Sequence, residues 1–276
     1  MNAPLPPEQS IIGATSCVFP VERMRAGARS TACDDLAEET PVAIEYNGIA
    51  YATMLATPAD LEDFVRGFSL TEGVVRAPRD IYDIEIDSHR DGLVARVEIA
   101  SACISGLRER RRAMAGRTGC GICGIESLQQ LRCDTAVVTR APQLGIQAAH
   151  RAARQLYEHQ SLHHITGATH AAGWANAAGV LLALREDVGR HNALDKLIGA
   201  LHRSGADRAT GFALVSSRAS YELVQKAAAA GIGVLAAMSA PTARAVRLAG
   251  DLGVTLIGFL RDESCVAYSH AQRIIG

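Results

Sequence analysis

Apolar and polar residues alternate with a period of two through much of the first half of the chain. From Thr40 to Thr57 two β-prone runs flank Asn47-Gly48. That dipeptide suits a two-residue hairpin turn, because both positions tolerate positive φ. A helix is predicted next. Pro58 lies near its first turn, Asp60, Glu62 and Asp63 favour its N-terminal end, and Gly73 closes it. Leu61, Phe64, Val65 and Phe68 fall on one face at helical spacing. Residues 81–87 and 93–100 alternate again around His89-Arg-Asp-Gly92 and predict a second hairpin. Residues 1–15 are Pro-rich and read as a tail, and residues 17–39 show mixed polarity with no clear period.

The second half changes rhythm. Residues 147–162 read as a helix, with Ala148, Ala152 and Leu156 at i, i+4 spacing. Residues 165–184 lack Lys, Arg, Asp and Glu, but Thr166, Gly167, Thr169, His170, Gly173, Asn176 and Gly179 interrupt them. A spanning helix needs about 20 predominantly apolar residues, so two short strands around a turn are expected and no membrane span. A helix follows over residues 193–202. The last third alternates strand 211–215, helix 220–230, strand 233–237, helix 241–252 and strand 254–260. Short connections between such units imply parallel pairing with right-handed crossovers. The reading is an α/β protein: a small α+β unit over residues 16–116, then an α/β unit over residues 117–276.

Composition narrows the picture. A net charge of -1 leaves no overall electrostatic footprint for nucleic acid, and 4% aromatics leaves few platforms for stacking single-stranded bases. The seven cysteines are scattered apart from one pair, and residues 1–7 have neither a basic n-region nor an apolar h-region. A reduced, cytoplasmic setting is therefore expected, in which a Cys-x-x-Cys is catalytic or metal-binding and not structural.

That pair is Cys120 and Cys123, within Gly119-Cys-Gly-Ile-Cys-Gly124. Glycines bury nothing and are costly to order, so they suggest a backbone that must bend around accessible sulfur. Arg108, Arg110, Arg111, Arg112 and Arg117 precede it. They read either as a solvated helix face or as a positive segment that favours thiolate. Three chemistries remain open. Zinc needs three or four protein ligands, yet no second Cys-x-x-Cys and no His-x-Glu is present. A dithiol oxidoreductase carries its motif just after the first strand of its fold, not in mid-chain. A sulfur relay needs an accessible thiolate on a loop able to visit donor and acceptor.

Two strand-to-helix turns add a second signal. Ser216 to Ser220, with Ser217 and Arg218, and Ser239 to Thr242 place hydroxyls at helix N-termini. Such ends either cap their helices or hold a phosphate. In an open parallel sheet, ligands bind beyond the carboxyl ends of the strands. His170, Asp187, Arg190 and His191, with Asn192, Asp195 and Lys196 close by, crowd one further junction, as a pocket for an anionic ligand would.

Together these stretches resemble a known family. Cys120-Gly-Ile-Cys-Gly124, Thr166-Gly-Ala-Thr-His-Ala-Ala172, Arg185-Glu-Asp-Val-Gly-Arg-His-Asn-Ala-Leu-Asp-Lys196, Ser217-Arg-Ala-Ser-Tyr-Glu-Leu-Val-Gln-Lys226 and Ser239-Ala-Pro-Thr242 are similar to those of the FdhD family. Glu39-Thr-Pro-Val42 and Gly67-Phe-Ser-Leu-Thr-Glu-Gly73 resemble it as well. Its members are formate dehydrogenase accessory sulfurtransferases. The resemblance implies a cytidine deaminase-like three-layer α/β fold for the C-terminal part, without its zinc ligands. It implies a persulfide on Cys120, with Cys123 as its neighbour, and a cysteine desulfurase as donor. The client is the molybdenum bis(molybdopterin guanine dinucleotide) cofactor of formate dehydrogenase, which GDP or another guanine nucleotide would mimic. The cofactor-binding stretch maps to Phe259, Leu260, Arg261, Asp262, Glu263 and Ser264, and a homodimer is implied. A cofactor-binding chaperone with redox-sensing cysteines is the alternative.

Overall fold

The structure, a computed structural model, describes residues 13–104, 106–107, 135–261 and 263–276. Cys120, Cys123, the arginine run and the boundary set at 116/117 lie outside the described residues, as does Asp262.

The chain opens with β1 (Ser16–Arg25) and β2 (Ala28–Ala37), an antiparallel ribbon of two strands. The mixed polarity of this segment gave no sign of it. Its turn is Ala26-Gly27, both at positive φ, as a two-residue hairpin requires. None of its twenty strand residues is buried, so no alternation of inside and outside is written into the sequence.

Next come β3 (Thr40–Tyr46) and β4 (Ile49–Ala56), joined by Asn47-Gly48 at positive φ as expected. After α1 (Leu61–Thr71), β5 (Ile81–His89) and β6 (Gly92–Ile99) form the second expected hairpin. The two hairpins join through parallel pairing of β3 with β6, giving the order β4-β3-β6-β5. One sheet face is apolar and covered by α1. Val42, Ile44, Tyr46, Ala95, Val97 and Ile99 pack there against Leu61, Phe64, Val65 and Phe68. The short α2 (Ser101–Ile104) follows.

The second half begins with β7 (Leu144–Gly145), α3 (Ile146–Glu158) and α4 (Ser161–Thr166). Then β8 (His170–Asn176), β9 (Leu181–Asp187), α5 (Arg190–Arg203), β10 (Gly211–Val215), α6 (Tyr221–Ala229), β11 (Val234–Ala237), α7 (Ala243–Asp251) and β12 (Thr255–Arg261) follow in turn. β13 (Ser264–Ser269) returns antiparallel to β12, and the short β14 (Ile274–Ile275) pairs with β7. The six-stranded sheet has the order β13-β12-β11-β10-β8-β9, with β10, β11 and β12 parallel. Residues alternate between two cores. Phe212, Leu214, Val234, Ala236 and Ile257 face α3, whereas Ala213, Val215, Leu235, Ala237 and Leu256 face α5, α6 and α7. The result is three layers, helix, sheet and helix.

The helix predicted over residues 193–202 starts three residues early, at Arg190, and so carries Arg190, His191 and Asn192 in its first turn.

The halves meet where α1 crosses α5. A methyl group at Gly67 would run into the carbonyl of Asp195, and one at Gly199 into that of Asp63. The two backbones touch directly, which only glycine permits at both positions.

Candidate functional site at one end of the six-stranded sheet

Topology decides what converges. β10, β11 and β12 are parallel, so their carboxyl ends share one end of the sheet. β8 runs antiparallel to β10 and β9 antiparallel to β8. The start of β8 and the end of β9 therefore lie at that same end. His170 begins β8, Asp187 ends β9, and Arg190 and His191 open α5. Ser217 and Arg218 follow β10, Ser239 and Thr242 follow β11, and Phe259 to Arg261 close β12. Every described residue proposed from sequence as a ligand contact belongs to this end. Glu263 (φ 60°) precedes Ser264, which opens β13 and pairs with Arg261.

The turns knit into one surface. Ala219 bridges Pro241 in parallel, and Thr242 N–H donates to Ala219 O at 3.0 Å. Phe259 N–H donates to Ser239 O at 3.2 Å. Gly258 allows the 239–242 turn to lie against β12, since a Cβ there would crowd Pro241. Phe259 itself takes a positive φ of 52°, uncommon for an aromatic residue. Ser220 and Thr242 cap α6 and α7, accepting from Leu223 N–H and Ala245 N–H. Ser217 Oγ donates to the Arg218 carbonyl at 3.0 Å. The capping hydroxyl after β10 is thus that of Ser220, the last residue of the Ser216–Ser220 stretch, and not that of Ser217.

Guanidinium groups line this end. Arg218, Arg244 and Arg261 are exposed. Arg244 lies over the Tyr221 ring at 4.7 Å, and Arg261 over the Phe259 ring at 5.7 Å. Each pair is a flat, cationic surface suited to an anionic or aromatic group. Tyr221 and Arg244 were missed from sequence. Their one signal was position, in the first turns of helices with Ser and Thr caps.

His191 Nε2 lies 3.4 Å from Ser220 Oγ and 3.4 Å from Glu222 Oε2. Burial, then the charges of Arg190 and Lys226, push its pKa down to about 3. It is a neutral imidazole at neutral pH and offers a hydrogen bond, not a charge. His170 is lowered too, by burial and then by Arg190 and His163.

Asp187 turns out differently. Its side chain is fully buried and both oxygens are engaged. Oδ2 pairs with Lys196 Nζ at 2.7 Å and accepts from Thr57 N–H at 3.0 Å. Oδ1 accepts from Gly189 N–H and the Asn192 amide. Asn192 also donates to Leu55 O, and Lys196 to Thr57 O. A second buried cluster joins Lys226 to Asp195, Glu72 and Thr71. Burial alone would lower the Lys226 pKa, but Asp195 and Glu72 overcome it and raise it. The polar residues expected to line an anionic pocket thus divide. Asp187, Asn192, Asp195 and Lys196 bind the two halves of the chain together, while Arg190 and His191 remain beside the strand ends.

This end of the sheet defines an α/β protein whose parallel strand ends gather capped helix N-termini and exposed guanidinium groups. The chain belongs to the FdhD/NarQ family, whose description matches residues 37–275. It is 56% identical to the sulfur carrier protein FdhD of Bordetella petrii over 92% of both chains. It is 54% identical to the same-named protein of Cupriavidus necator, over 94% of this chain and 90% of that one. A crystal structure from Desulfotalea psychrophila, described as a formate dehydrogenase accessory protein, superposes with a TM-score of 0.76 at 24% identity. The match covers 95% of this chain and all of that one.

Proposed function

We propose that this protein is a sulfur carrier that serves formate dehydrogenase. In this reading the Cys120 thiolate attacks the terminal sulfur of a cysteine desulfurase persulfide. The donor's sulfur–sulfur bond breaks, its thiolate leaves, and Cys120 holds the sulfur as a new persulfide with no net redox change. In delivery to the molybdenum bis(molybdopterin guanine dinucleotide) client, with Cys123 as the neighbouring thiol, the persulfide's sulfur–sulfur bond breaks and the Cys120 thiolate leaves. The outer sulfur bonds to the client's reduced molybdenum, which gives the two electrons that bring it to sulfide. The sheet end holds that client by its nucleotide portion. Arg190, Arg218, Arg244 and Arg261 meet phosphate charge, Ser239 and Thr242 lie on the turn beneath, and neutral His191 contributes a hydrogen bond. The protein acts in the cytoplasm as a homodimer.

The observation that carries the reading is the convergence of these cations and helix N-termini at one sheet end, in a chain whose near relatives are named sulfur carriers. The test is Cys120→Ala. The variant should keep its fold and its guanine-nucleotide affinity yet yield inactive formate dehydrogenase in a strain lacking the wild-type gene. Full dehydrogenase activity would reject the sulfur-carrier reading in favour of a cofactor-binding chaperone.

A further inference from the structure

The β1–β2 ribbon is ten residues long on each strand, and nothing in it is buried. Two-stranded ribbons are marginal in water on their own. This one also exposes Val18, Phe19, Met24 and Leu36, each more than 40% accessible. Phe19 and Leu36 lie on one face and Val18 and Met24 on the other, by the alternation of the register.

Among the described residues neither edge carries a further strand, although α4 lies beside β2, and the two edges differ. The register closes on Arg25↔Ala28 around a two-residue turn, so that pair exchanges both backbone hydrogen bonds. Bonded and non-bonded pairs alternate from there. The N–H groups of residues 16, 18, 20, 22 and 24 therefore point away from β2, and one of these is Pro20, which has no N–H. Proline is a device that blunts an edge. On β2 the outward groups belong to Arg29, Thr31, Cys33, Asp35 and Ala37. This edge has no proline, lysine or bulge.

The β2 edge is also self-complementary. When two copies of β2 pair antiparallel about a two-fold axis at Ala32, Arg29 of each strand faces Asp35 of the other. Opposite charges directly across a ladder stabilise it. Within one chain, Arg29 pairs with Glu22 at the surface, and the ribbon's other ion pair joins Arg23 to Asp34.

We propose that the outer edge of β2 is the surface on which a second copy of this chain docks, joining two ribbons into one four-stranded sheet. The two-fold axis makes the contact isologous and closed. This inference rests on the homodimer included in the proposed function and names its interface. Thr31→Pro removes an outward N–H while leaving every β1–β2 hydrogen bond in place. Light scattering should show a dimer for the wild-type protein and a dimer at least tenfold weaker for Thr31→Pro. Val18→Pro, at an equivalent position on the blunted edge, should remain as dimeric as wild type. Arg29→Asp and Asp35→Arg should each weaken the dimer, and the double variant should restore it. A wild-type protein that is monomeric at all concentrations would overturn the homodimer itself. A wild-type dimer that Thr31→Pro leaves intact, or a charge swap without rescue, would overturn this interface alone.

Discussion

Lys196 and Asp187 form a fully buried ion pair, and each also bonds backbone of the loop after β4, some 130 positions earlier in the chain. Removing one partner of such a pair strands the other charge in the interior, at a cost of about 3–5 kcal/mol. Lys196→Met should therefore lower the unfolding free energy by about that amount in urea titrations. A variant of unchanged stability would mean that the pair is not closed in solution. The stretch from Asp187 to Lys196 was legible in the sequence as unusually polar. Which of its groups face a ligand was not, because their partners come from a distant loop that no local pattern announces.

Buried His191 and half-buried His202 set a pH dependence. Burial, then Arg208, pushes the His202 pKa down to about 4, and His191 is pushed to about 3. Unfolded, both titrate near 6.5. Between these limits the unfolded chain binds more protons, so stability is full above about pH 6.5 and is lost as pH falls. Asp195 opposes this. Burial raises its pKa to about 6, so the folded state holds its proton first and gains stability as pH falls below that value. His170, also lowered by burial, joins the histidines, and Asp60, raised by burial, joins Asp195, so three groups against two leave a net loss on acidification. The melting temperature should be lower near pH 5 than near pH 7, and His202→Gln should reduce the difference. Equal melting temperatures at both pH values would contradict the desolvation of the two rings.

Among the elements, α1 and α5 depend most on their glycines. Gly67→Ala or Gly199→Ala forces the helices apart, and overpacking of this kind costs about 1–3 kcal/mol. Either variant should denature at lower urea than wild type, and Gly67→Ala should not be rescued by adding Gly199→Ala. Where one face of an element was buried, the sequence made it readable. The Asn47-Gly48 hairpin, α1 and the alternation from β10 to β12 all appear where their patterns put them. The β1–β2 ribbon was illegible because neither of its faces is inside. β13 has no counterpart in the sequence reading, whose last strand ends at residue 260 and whose ligand-binding stretch reaches only its first residue, Ser264.

At the scale of the molecule, no pattern in the sequence revealed that β3 and β6 pair in parallel, or that α1 and the loop before it anchor on α5 and β9. Those contacts bury charge and backbone between the halves, so the two sheets should unfold together. Trp174 is the single tryptophan and sits in the six-stranded sheet. Its fluorescence and the far-UV circular dichroism should follow one urea transition. Two separated midpoints would show instead that the four-stranded sheet and α1 come apart on their own.

The strand-end surface has a thermodynamic consequence. Its residues come from five strand ends and three helices spread over some ninety positions, so the surface does not exist until the whole C-terminal half is folded. A ligand that needs all of them binds no partly folded chain. Its binding energy is then added to folding in full, about 2.7 kcal/mol at a hundredfold excess over the dissociation constant. A guanine nucleotide should raise the midpoint of thermal unfolding, reporting on the completeness of the chain that holds it as well as on its own affinity.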